Sequence, residues 1–203
     1  MSTKYRIGEQ IVKALGQRGV GAVTIQQAML VASQIANKNI RDYIWALKSD
    51  GDITIPHSVL KEYTKGVVFD QTRDMWYVPL TVRTLDTLYG NMGVYSVYPK
   101  GRPADHIVPL SATFLGMYSG LGAYSLEGML GYMPERDRIY LTGDTWTSDS
   151  EVSMLLIPDC TSLDPDDQMP GFVEMEADVL AQAMQILAPQ LQTQNIENDN
   201  TKK

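Results

Sequence analysis

The chain has 203 residues, 44% of them hydrophobic, and a formal net charge of -7. That length and composition suit one medium globular domain with appendages. The acidic balance argues against a protein that grips nucleic acid by neutralising phosphates, which needs clustered Lys and Arg. Cys160 is the only cysteine, which rules out an internal disulfide and a thiolate-rich metal centre. No apolar run reaches the ~18 residues of a membrane span, and the first residues lack the apolar core of a signal peptide, so a soluble intracellular product is expected.

In chain order, Ile7, Ile11 and Leu15 stand four apart within Lys4 to Leu15, one apolar stripe on a first helix. After "GQRGVGAV", Thr24 is a candidate N-cap for a second, longer helix. Its apolar positions run Ile25, Ala28, Met29, Ala32, Ile35, Ala36, Ile40, Tyr43, Ala46 and Leu47. At 1.5 Å per residue that helix is roughly 35 Å long. From about residue 53 to residue 158, short β-branched or alternating runs between turn residues predict a small, mostly antiparallel β domain. "KEYTKGVVFDQTRDMWYVPL" reads as two strands around a turn, with Val67, Phe69, Trp76 and Val78 able to share faces. The apolar, glycine-studded stretch from His106 to Met133 suits bent or bulged strands. A last helix over about 171 to 188 is expected to stop at Pro189, followed by a flexible polar tail over 191–203. The fold class is therefore α+β: residues 1–50 helical, 51–160 an antiparallel β domain, and 161–190 a loop and C-terminal helix packing with the N-terminal helices.

Charge is unevenly placed. Residues 1–48 carry +5 and residues 144–203 carry -10, which suits complementary surfaces, either within a subunit or between neighbours, as well as two solvated faces that merely differ.

Chemistry-bearing constellations are sparse. His57 and His106 are the only histidines, and nothing in their spacing asks for a metal or a nucleophilic triad. Asp164, Asp166 and Asp167 resemble a calcium loop by letter, but Met169 and Met175 occupy the positions where an EF-hand needs Gly and Glu. "GYMPERDRIYLTG" places Glu135, Arg136, Asp137 and Arg138 in a row between two tyrosines, and "FDQTRDMWY" offers Arg73 and Asp74. Both read as polar hairpins, with Pro134 favouring a turn. These six residues are candidate subunit contacts; no catalytic residue, cofactor or metal ligand is assigned.

The stretches "YRIGEQIVKAL", "YLTGDTWTSDSEVSMLLIPD" and "VLAQAMQILAPQLQTQNIENDN" resemble virion structural proteins of tailed bacteriophages, most nearly the neck or tail ring proteins of crAss-like phages. The resemblance implies a head-to-tail connector, not an enzyme. It also implies a homo-oligomeric ring, expected to be a dodecamer, that meets the portal and other neck or tail rings and lets double-stranded DNA pass without specific binding. Its place would be the virion, with assembly in the host cytoplasm and no membrane partner. An acidic lumen would let DNA slide. Alternatives kept open are a tail tube or head decoration protein, a non-virion enzyme using Cys160 or the acidic loop near Asp164, and a host interaction module.

Overall fold

The computed structural model describes residues 2–17, 23–50, 54–85, 93–110, 130–135, 137–143, 145–171 and 173–200. Most of the glycine-rich stretch read as bent strands, residues 111–129, lies outside the described residues, as does Arg136. The chain divides into two compact units: Met1–Val59 with Asp159–Lys203, and Leu60–Pro158. Helices and mixed, mostly antiparallel sheets make the fold α+β.

In the helical unit, α1 (Lys4–Gln17) buries Ile7, Ile11 and Leu15. Its first-turn amides, which no helical carbonyl can reach, donate elsewhere: Lys4 N to the Asp167 carbonyl (3.0 Å), Tyr5 N to the Pro165 carbonyl (2.8 Å) and Arg6 N to Thr3 Oγ1 (3.3 Å). The acidic 164–167 loop thus caps α1 with its backbone. α2 (Ile25–Ser49) starts at a capping box: Thr24 Oγ1 accepts from Gln27 N, and Gln27 Oε1 accepts from Thr24 N. Gly8 lets α1 approach α2, since a Cβ there would lie 2.6 Å from Met29 Cγ.

The buried face of α2 comprises Ala28, Ala32, Ile35, Ala36, Ile40 and Ile44. The sequence reading took Tyr43 and Ala46 for the stripe's last turns and passed over Ile44. Ile44 is in fact 1% exposed and Ala46 is exposed, because the step from Ile40 that keeps the same azimuth is four residues, not three.

α3 (Val173–Asn200) packs on α1 and α2 through Met175, Val179, Ala183 and Leu187, each four apart. Pro189 lies inside it and does not end it, contrary to the expected stop. An interior proline costs about 3 kcal/mol. Its neighbours Gln185, Gln190, Gln192 and Gln194 are good helix formers that carry the backbone on both sides.

The β unit holds two sheets. β1 (Lys61–Gly66), β8 (Glu151–Leu156) and β4 (Val94–Pro99) form an antiparallel sheet in the order β1-β8-β4, with a bulge between Val94 and Ser96. The second runs β2 (Val68–Asp70), β3 (Met75–Pro79), β7 (Arg138–Thr142), β6 (Gly131–Glu135) and β5 (Val108–Pro109), antiparallel except for the β5–β6 pair. Both foreseen hairpins exist: Phe69 sits opposite Trp76 with the rings edge to face at 5.1 Å. The shared core collects Val67, Val78, Val97, Tyr132, Ile139, Leu141, Trp146, Val152, Met154 and Leu156. Gly93, at φ +74, fits where a Cβ would strike the Leu85 carbonyl at 2.4 Å.

Candidate functional site

The β3–β7 register decides where the charged residues go. It sets Trp76 opposite Leu141, Tyr77 opposite Tyr140, and Pro79 opposite Arg138; β6 adds Glu135 opposite Arg138. Because strand side chains alternate, Val78, Ile139 and Tyr132 point to the core while Asp70, Tyr77, Arg138, Tyr140 and Glu135 share the other face. The two hairpins, remote in sequence, therefore build one surface.

On that face Tyr140 is the centre. It is only 2% exposed, packed beside the Tyr77 ring at 5.9 Å and roofed by charged groups. The Arg73 guanidinium stacks over its ring at 4.7 Å and pairs with Glu135. The Tyr140 hydroxyl donates to Asp70 Oδ2 at 2.9 Å and accepts from Arg138 Nη1 at 3.4 Å. Arg138 in turn lies over the Tyr77 ring at 4.8 Å, and pairs with Asp137 (3.3 Å) and Asp70 (3.6 Å). The Tyr140 hydroxyl bond, with a further bond from the Thr72 amide, holds the Asp70 carboxyl below its usual range. Asp137 is also held low, by its bond to Arg138, and Arg138 and Arg73 are raised by their carboxylate partners.

Of the six residues singled out from the sequence, Arg73, Glu135, Asp137 and Arg138 join this network. Asp74 shapes it from the turn, in a left-handed conformation (φ 55) that Asp tolerates, and Arg136 falls outside the described residues. The sequence expectation of two separate charged tips gives way to an interlocked sheet face, because a non-local strand pair brings the hairpins side by side. Asp70, Tyr77 and Tyr140 were missed as members. Their signal was the two-residue step from Arg138 to Tyr140 along β7, with Tyr77 on β3 and Asp70 at the end of β2, readable only once the strands were known to pair.

The helical unit carries the other polar cluster. Lys4 is 8% exposed and its Nζ donates to the carbonyls of Leu163 (2.9 Å) and Thr161 (3.1 Å); burial lowers its pKa. Asn37 Nδ2 donates to Asp159 Oδ1 (2.6 Å) while its Oδ1 accepts from Cys160 N (2.9 Å). Burial acts to raise the Asp159 carboxyl, but hydrogen bonds from Thr161 and Asn37 outweigh it and leave it below the usual range. Ser2 bonds Glu176 through both its amide and its hydroxyl. Basic N-terminal and acidic C-terminal residues thus meet within this unit: Lys4 faces Asp159, Asp164 and Asp167, and Arg41 faces Asp159.

Cys160 is fully buried and its thiol is pushed up to about 12 by burial and by Asp159. A thiol of that acidity is protonated at neutral pH and a poor nucleophile. Its polar surroundings are Asn37, Asp159 and Lys4, whereas His106 belongs to the β unit, its Nδ1 2.7 Å from Ser96 Oγ. That bond ties the 102–107 turn to β4, beside the Ile107 amide donating to the Val97 carbonyl. Among the described residues no three His, Cys, Asp or Glu side chains are grouped to hold a metal ion, and no helix is long and apolar enough to cross a membrane. No protein-family model matches the chain, and no curated protein matches it.

Proposed function

We propose that the chain is a structural subunit of a tailed-bacteriophage particle, assembling into a ring in the neck or head-to-tail connector and forming part of the DNA exit channel. The reading starts from the family resemblance. The observation that carries it in the structure is the outer face of the five-stranded sheet, where Arg73, Glu135, Arg138 and Asp70 are locked over Tyr140 and Tyr77. Side chains already fixed in place lose little further entropy when a neighbour docks, and alternating charges set register and reject wrong partners. Arg73 and Glu135 keep 47% and 36% of their side-chain surface exposed, which leaves carboxylate lone pairs and guanidinium N–H groups for a partner. A ring joins two different patches of each subunit, and a two-unit chain offers such patches. The surplus of negative charge suits a conduit along which DNA slides.

The test is native mass spectrometry with negative-stain imaging of the purified chain, alone and with a portal ring. Closed rings are expected. Monomers under both conditions would overturn the reading.

A further inference from the structure

The outward face of α2 is unlike the rest of this acidic chain. Leu30, Gln34, Lys38, Arg41, Trp45 and Lys48 are all exposed, and at 100° per residue they fall within one arc, spanning ~27 Å of helix. Trp45 is 60% exposed and Leu30 51%. Lys38 and Lys48 flank the tryptophan on this arc, Arg41 lies between them and also faces Asp159 of its own unit, and Asp42 stands at the arc's margin. An exposed tryptophan is the residue type most often found at interface hot spots, and cations around it select and steer a partner of opposite charge.

The complement of such a surface is acidic. The chain supplies it: with residues 1–48 at +5, the remaining 155 residues carry -12. In the helical unit itself Asp164, Asp166 and Asp178 are exposed. We infer that the Trp45 face of α2 is one half of a head-to-tail contact whose other half is the acidic surface of the helical unit in a second copy of this chain. The two halves involve different residues, so each copy keeps one of each free for the next, the condition for a ring or an open filament. This assigns a contact to the ring reading and rests on it only for closure.

The experiment uses the full chain, followed by sedimentation velocity across a concentration series at low and high salt. The wild type should self-associate, more weakly as salt rises. Trp45→Ala, and separately Lys38→Glu with Lys48→Glu, should weaken association about tenfold or more with circular dichroism unchanged. Arg41 is left intact because it faces Asp159. Asp166→Lys with Asp178→Lys should weaken it likewise. Mixing the basic-face variant with the acidic-surface variant should restore a heterodimer through the one intact junction. Full association by the Trp45 and lysine variants, or a wild type that is monomeric at every concentration, would overturn the inference. Closed rings that survive those variants would do so while leaving the ring reading standing; wild-type dimers or open filaments lost in them would keep the inference and remove the ring.

Discussion

Two polar networks among the described residues differ in what covers them. In the helical unit Lys4, Asn37 and the Cys160 amide are buried and Asp159 is half-buried, and each finds its partner within the unit. In the β unit Asp70, Arg73, Glu135 and Arg138 do the covering, laid over Tyr140 at the water's edge. A buried polar group must find its partner inside the fold or incur its full desolvation cost. An exposed one can exchange its partner for water or for another protein at little expense. The first network therefore serves folding, and the second is free to serve contact.

Thiol labelling separates the two networks most sharply. With its pKa pushed up to about 12, native Cys160 should react with a maleimide or an aromatic disulfide at least about a thousandfold more slowly at pH 8 than in the unfolded chain. Labelling at the rate of a free thiol in the native state would show that the helical unit opens locally.

Next in size is Asn37→Ala, which strips partners from both the Cys160 amide and the Asp159 carboxylate. A loss of about 2–3 kcal/mol is expected in urea unfolding followed by circular dichroism. A change under 0.5 kcal/mol would mean that water reaches the site and that the network is not structural.

Acid is a gentler probe. Asp159 is held below its unfolded value, so its contribution is complete above that value, near pH 4, and fades as pH falls through the lower folded one. Unfolding midpoints measured between pH 7 and pH 2 should therefore drop more steeply below pH 4 in the wild type than in Asp159→Asn. Parallel curves would remove Asp159 from the account. Asp70 is shifted the same way, first by its bond from Tyr140, and adds to the drop in both proteins alike.

Smallest of all should be Arg73→Ala. Its ion pair with Glu135 is solvent-exposed, so thermal denaturation should hardly move, while oligomer formation on the proposed reading falls. A large loss of stability would turn the comparison around, making the roof over Tyr140 as structural as the buried cluster. Arg138 lies between these cases: its side chain is 33% exposed and pairs with an Asp70 that is only 15% exposed, so it is less dispensable than a residue at a free hairpin tip.

Local physics was legible in the residues. The four-residue spacing of Ile7, Ile11 and Leu15 gave α1, Thr24 marked the start of α2, and the alternation around "VVFD" and "MWYVP" gave the β2–β3 hairpin. Each of these depends on side chains within a turn or a hairpin of one another. The path of α3 through Pro189 was not legible, because it depends on a sum over many residues and not on the one that disfavours helix. Nor could the sequence reveal that Lys4 bonds carbonyls some 160 residues away, or that Asn37 joins Asp159 to Cys160. It showed that the row from Glu135 to Arg138 was a charged turn between strands. Only the pairing of β3 with β7 decided that Glu135 and Arg138 turn back onto the sheet, because the identity of a strand's neighbour is settled by the packing of the whole core and leaves no mark at the residues concerned.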